Sequence, residues 1–470
     1  MSDMPEVEAL SGPIPDVAPL RYDLEALGYV DREYILRGTA SAYRRRNDTD
    51  WTADFDGNAP FATRLRVRRP TDSTKFSGTV VVEWLNVSTG ADMAPDWGLV
   101  HRHLIRSGHA WVGVSAQRAG IDGGGFVAGH NLKSLDADRY RCLAHPGDEY
   151  SYDIFTQVAE LLRSGAGDVL GGERAHQILA IGHSQSAMFL VTYINAVDPA
   201  ARVIDGYLVH GRPAVAADLT TGLATPAAVE SDQVADAVRM FTAQTPVPIR
   251  DDPRVPVFVL QSESDVALSR AGRLRQPDTD RIRVWEIAGT AHADTYLMAA
   301  NEDDGTSVQR LAAALRPVSE VLGSATELPI NSGPQQHYVA QAAIEHLVRW
   351  ADEGSPPPLA PRLSLRDDVD DLDRDKRGIA LGGVRTPWVD APVATLAGVG
   401  QGGSGFAFLF GITRPFDAVE LAARYSHGMT DYLRQFTDAL DTSIAQGFLL
   451  DADRAEILAI AEIDWRSQRG

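Results

Sequence analysis

Two different periods run along the chain. Glu33-Tyr-Ile-Leu-Arg-Gly-Thr-Ala reads as a strand, and Thr63-Arg-Leu-Arg-Val-Arg-Arg alternates polar with apolar residues up to Pro70. That pattern suits an antiparallel pair at a sheet edge with one wet face. Then the alternation stops. Gly78-Thr-Val-Val-Val-Glu-Trp-Leu-Asn and Ala110-Trp-Val-Gly-Val-Ser are nearly continuous apolar runs, as expected of strands buried on both faces of a parallel sheet. A helix is predicted between them, from Trp97 to Ser107, ending near Gly108. The unit recurs when Gln177-Ile-Leu-Ala-Ile-Gly is followed by Ala187-Met-Phe-Leu-Val-Thr-Tyr-Ile-Asn. Further strands are predicted over Ile204–Val209, Val255–Leu260 and Ile282–Ile287. Strands alternating with helices imply a doubly wound, mostly parallel α/β sheet.

Two insertions interrupt this order. Residues 117–148 are rich in Gly, Asp and His and too long for an ordinary loop, so they are expected at the rim of a site. Residues 211–252 follow a strand and contain a helical stretch near 234–241, as a cap would. The core is thus read as 20–210 with its rim insertion, then the cap, then 253–352. From 353 to 470 a Pro-rich connector leads into a mainly helical C-terminal extension. His337–Ala351 carries a helical stripe of Ala340, Ile344, Leu347 and Ala351, closed by Gly354. The charged run from Arg366 to Arg377 reads as a solvated loop, and the tail from Asp417 to Arg466 as amphipathic helix.

One segment carries chemistry. Gly182-His-Ser-Gln-Ser186 follows a buried strand and opens a helix. A nucleophilic serine needs such a sharp, strained turn with small residues on both flanks, which Gly182 and Ser186 supply. The N–H of Gln185 would face a developing oxyanion, aided by the helix's positive end. The bland alternative is a plain turn with a helix-capping serine. A serine needs a base, and on this architecture the order is Ser, acid, His. Of the 12 histidines, His292 has both the order and the context, on a Gly-bearing loop after the strand Ile282–Ile287. The acid belongs on the loop after the preceding strand, where Gln261-Ser-Glu-Ser-Asp265 offers two carboxylates. Asp265 is preferred for its offset and short side chain, with Glu263 as its rival, since either could fix the His tautomer. The second oxyanion donor is sought in the backbone N–H groups of Asn86 and Val87. Glu83, in an apolar strand, reads as a structural ion pair or a link holding that loop rather than as an active-site acid.

Several segments together, Gly28-Tyr-Val, Val82-Glu-Trp-Leu-Asn-Val-Ser, Tyr140-Arg-Cys-Leu-Ala-His-Pro-Gly-Asp-Glu-Tyr-Ser-Tyr-Asp, Gly182-His-Ser-Gln-Ser, Ser262-Glu-Ser-Asp-Val and Gly382-Gly-Val-Arg-Thr-Pro, resemble the large bacterial and fungal group of alpha/beta hydrolase domain-containing proteins. The resemblance spans about residues 25 to 465. It implies an α/β-hydrolase core with a C-terminal extension packed on it, and esterase-type chemistry. Ser184 and His292 match the nucleophile and base positions of that pattern; the acid carries over as one of Asp265 or Glu263.

Other residues read as structural. His101 and His103 stand on different helix faces, and His130, His145, His176 and His337 lack a metal-type spacing. No metal and no cofactor is expected. Gly123-Gly-Gly125 precedes no nucleotide-type helix, Gly398–Gly405 reads as a flexible connector, and Trp84, Trp97 and Trp111 as core.

Composition narrows the partners. Lys plus Arg is 44 against 64 Asp plus Glu, a formal charge of −20. Such a surface repels nucleic acid and anionic membranes, and favours a neutral small-molecule substrate unless a local basic pocket overrides the field. Cys142 is the only cysteine, so no intrachain disulfide forms. The acidic N-terminus lacks signal-peptide character, and a cytoplasmic location is expected; homo-oligomerisation is left open. Three functions fit these residues: a carboxylic-ester or lactone hydrolase, an acyltransferase with the same residues, and a binding protein on a hydrolase fold.

Overall fold

The continuous apolar runs become the centre of one large sheet. In the computed structural model, which describes residues 4–16, 19–47, 50–124, 130–223, 244–305, 307–321, 324–366 and 371–467, nine strands form it. They are β1 (Glu6–Leu10), β2 (Tyr29–Asn47), β3 (Asp50–Pro70), β4 (Thr79–Trp84), β5 (Ala110–Val114), β6 (Gln177–His183), β7 (Gly206–His210), β8 (Val257–Ser262) and β9 (Ile282–Ile287). Their order is β1-β2-β3-β5-β4-β6-β7-β8-β9. Pairing is antiparallel from β1 through β3 to β5 and parallel from β5 through to β9.

The helices that frame the sheet and the site include α1 (Pro95–Arg106), α2 (Ser151–Ser164), α3 (Gln185–Thr192), α4 (Glu263–Ala267), α5 (Gln335–Glu353), α6 (Met429–Ala445) and α7 (Arg454–Ser467). Strand side chains point alternately to the two sheet faces, which explains why the central strands are apolar at nearly every position. Val80, Val82 and Trp84 of β4 join Phe155 of α2 and Phe189 of α3 in one core, whereas Val81 joins Leu104 of α1 and Ile344 of α5 in the other. Each such side chain taken fully out of water contributes about 1.5–3 kcal/mol. Phe436 of α6 and Trp465 of α7 belong to the second core, so the C-terminal extension packs on the α1–α5 face.

Three features depart from the pattern. The β2–β3 hairpin is much longer than the alternation suggested and runs out to the Asn47–Asp50 pair, with register shifts near Ser41–Tyr43 and Arg45–Asn47. Those bulges, with the charged Arg44-Arg45-Arg46, hide the period. A further strand, β1, lies outside the hairpin at the sheet edge. Within the extension, ahead of α6, an antiparallel ribbon joins β10 (Ala394–Ala397) to β11 (Ile412–Pro415). Of the insertion 211–252, the helical stretch expected near 234–241 lies outside the described residues. The two described legs meet where Val247 N–H donates to Ala214 O at 2.8 Å. Among the described residues no helix is long and apolar enough to cross a membrane.

Candidate active site

The site is assembled where β6, β7, β8 and β9 reach their C-terminal ends. Ser184 separates β6 from α3 with φ +62° and ψ −116°, a left-handed conformation that is strained for any residue but glycine. The turn has no room for side chains at its flanks. A Cβ on Gly182 would lie 3.0 Å from Leu190 Cδ1 and 3.1 Å from Ser186 Cβ, which accounts for glycine at 182 and for a small residue at 186. Ser184 N–H donates to His210 O at 2.9 Å, fastening the turn to β7.

Two loops bring a base and an acid to this hydroxyl. Ser184 Oγ lies 2.8 Å from His292 Nε2, and His292 Nδ1 lies 2.5 Å from Asp265 Oδ1. With Nδ1–H donating to the carboxylate, Nε2 is left as the acceptor for the serine proton. Asp265 is buried, and its other oxygen accepts from Ser262 N–H and Ser262 Oγ, both at 2.7 Å, in the capping box of α4. Burial alone would raise its pKa, but the adjacent His292 and the Ser262 donors hold it below the usual carboxylate value. Asp265 is therefore fixed as an anion against the imidazole.

Glu263, the rival acid, faces the other way. Its Oε1 accepts from Gly289 N–H at 2.7 Å, and its Oε2 accepts from Gly398 N–H at 2.9 Å and pairs with Arg374 at 3.0 Å. It thus ties the loop carrying His292 to the C-terminal extension. Ser264 repeats the link, donating from Oγ to Gly398 O at 2.5 Å while accepting from His292 N–H at 3.1 Å. Ala293 N–H also donates to Leu409 O. Gly398, expected in a flexible connector, is instead clamped between the acid and base loops.

The candidate oxyanion donors separate. Gln185 stands at the first position of α3, where an N–H has no acceptor within the helix. Val87 N–H points at the same turn and donates to Gln185 Oε1 at 3.2 Å. The backbone amide of Asn86 does not qualify, because it donates to Met93 O at 2.9 Å in an isolated bridge. The side chain of Asn86 instead donates to His183 O at 3.0 Å, holding the 86–88 loop against the Ser184 turn.

Behind the site lies a polar column that no sequence pattern suggested. The His183 ring packs 4.7 Å from both His292 and His210, and His210 Nδ1 lies 2.7 Å from Asp96 Oδ1. Burial first, then His210 and His292, keep the His183 pKa well below that of a free imidazole, so His183 is a neutral wedge. Glu83 accepts from Asp96 N–H, Trp97 N–H and Trp111 Nε1, which makes it the anchor for the start of α1. The hints in the sequence were Glu83 in an apolar strand, a histidine at the second position of G-x-S and another at the end of the β7 run.

Among the described residues no group of His, Cys, Asp or Glu could hold a metal ion. Comparison with solved structures finds a thermostable esterase from Pseudomonas putida at 12% identity, TM-score 0.30, covering 63% of this chain and 82% of that one. An esterase from Pyrococcus furiosus matches at 12% identity and TM-score 0.29, covering 59% and 89%. A serine hydrolase without a lid from Xanthomonas campestris matches at 12% and 0.27, covering 53% and 83%. No curated protein matches significantly. The model of the alpha/beta hydrolase domain family matches residues 4–459, nearly the whole chain, and the protein belongs to that family.

Proposed function

We propose that the protein is a serine hydrolase that cleaves a carboxylic ester or lactone of a small molecule through an acyl-enzyme on Ser184. The observation that carries this reading is the unbroken line from Ser184 Oγ through His292 to Asp265, at 2.8 and 2.5 Å. Ser184 attacks the carbonyl carbon as its proton passes to His292 Nε2, and Asp265 steadies the imidazolium. The tetrahedral oxyanion takes the Gln185 N–H and, by displacing Gln185 Oε1, the Val87 N–H. His292 returns the proton to the leaving alcohol, and water then repeats the sequence in reverse to free the acid.

The test is turnover of p-nitrophenyl esters of rising acyl length. Wild type is expected to hydrolyse at least the short members, and Ser184→Ala to lose at least about 10³-fold in kcat. Turnover by Ser184→Ala at the wild-type rate would defeat the proposal. Adding an alcohol to the same assay reads the acyltransferase alternative, through the share of product that appears as a new ester.

A further inference from the structure

Arg212 stands two residues beyond His210, whose carbonyl holds the Ser184 turn. Gln261, at the end of the strand leading to Asp265, donates to Arg212 O at 3.0 Å. A Cβ on the intervening Gly211 would come within 3.3 Å of His292 Cε1. Arg212 therefore leaves the catalytic floor as the first side chain of the 211–252 insertion. It is only 4% exposed. Nε donates to Pro213 O at 3.2 Å and Nη2 to Val247 O at 2.5 Å, on the returning leg of the same insertion. Its Nη1 makes no hydrogen bond to a described residue.

Among the described residues the guanidinium has no countercharge. The other deeply buried arginines have one: Arg64 faces Glu33 and Asp92, and Arg68 faces Asp31. Arg212 pairs with no carboxylate among the described residues. Burial lowers its pKa to about 10, which leaves it charged at neutral pH. Two carbonyl dipoles solvate a guanidinium in part, but a buried cation without an anion is costly to keep. That cost is met when an anion binds, and guanidinium suits a carboxylate, which it can grip with two parallel N–H donors.

We infer that Arg212 is the anion-binding residue of the substrate site, between the floor carrying Ser184 and the two described legs of the insertion at 212–223 and 244–252, and that the ester cleaved carries a free carboxylate away from the scissile bond. This rests on the esterase reading of Ser184. It also supplies the local exception to the argument from a net charge of −20, which otherwise favours neutral substrates.

The experiment compares mono-p-nitrophenyl esters of C4 to C8 dicarboxylic acids with chain-matched neutral p-nitrophenyl esters on the full chain. At least one acid-tailed ester is expected to exceed its neutral counterpart in kcat/KM by about tenfold or more, the scale of a charged hydrogen-bonded contact. That ratio is expected to fall toward one in Arg212→Gln, to persist in part in Arg212→Lys, and to shrink as salt is raised in wild type. A wild type that prefers no acid-tailed ester overturns the inference even if Arg212→Gln fails to fold. So does an Arg212→Gln that slows both series equally, since a purely structural brace behaves that way. Absence of turnover in both series, with no reaction of Ser184 toward a fluorophosphonate, defeats the esterase reading and this inference together. Turnover of neutral esters without the preference defeats this inference alone.

Discussion

At the scale of single residues the site turns on which of two carboxylates faces the imidazole. Asp265 and Glu263 lie two positions apart at the start of α4, and the helix turns them to different partners. Asp265 meets His292 at 2.5 Å; Glu263 meets Arg374 and two backbone amides. Their substitutions should therefore fail in different ways. Asp265→Asn is expected to lower kcat by about 10⁴-fold, because the tautomer is no longer fixed, with little change in urea midpoint. Glu263→Gln strips the buried Arg374 contact of its charge and is expected to cost about 3 kcal/mol of stability, with kcat changed far less. Parallel kcat and urea measurements on the two variants check this, and exchanged outcomes would exchange the roles.

At the scale of elements, the C-terminal extension props up the loops that carry Asp265 and His292. A Cβ on Gly398 would stand 2.2 Å from Thr290 O, 2.6 Å from Glu263 Cβ and 2.7 Å from Ser264 N. Two of those contacts are backbone atoms that cannot rotate away. Gly398→Ala is expected to cost about 2 kcal/mol and to lower kcat beyond what the loss of folded protein explains; thermal melts with active-site-normalised rates measure both. An unchanged kcat per folded molecule would mean that the extension does not position the loops. The elements that carry the site were legible in the sequence because their signals are local. A continuous apolar run, a G-x-S-x-S turn and a Gly-bearing loop after a strand each read within a dozen residues. The clamp was not legible, because Glu263, Arg374 and Gly398 meet only across the folded chain, and a Gly-rich stretch looks the same whether it is clamped or free. The approach of the 86–88 loop to the Ser184 turn was not legible in detail. Which amide is free depends on the Asn86–Met93 bridge, a contact with no sequence period.

At the scale of the whole molecule, the buried titratable groups pull stability in opposite directions with pH. Burial lowers the His109 pKa to about 4, so the folded state keeps it neutral while the unfolded chain takes up a proton below about 6.5. Its contribution is complete above that value and is lost as pH falls toward 4. Between pH 7 and pH 5 the stability difference between wild type and His109→Asn should shift by about 2 kcal/mol against wild type. Burial raises the Asp294 pKa to about 7, so there the sign reverses. The wild type holds a proton on Asp294 that the unfolded chain has released, and its difference from Asp294→Asn should shift by about 3 kcal/mol in favour of wild type as pH falls from 7 to 4. Urea titrations across that range check both signs. These groups were invisible in composition, which reports a net charge of −20 but not which residues lie out of water.

The proposed chemistry rests on one strained serine, Ser184, activated by His292. Reaction with a fluorophosphonate followed by peptide mapping tests it most directly. A single stoichiometric adduct on the peptide containing Ser184, absent from Ser184→Ala and much slower to form in His292→Ala, is the predicted result. An adduct on another residue, or one that persists undiminished in Ser184→Ala, would contradict it.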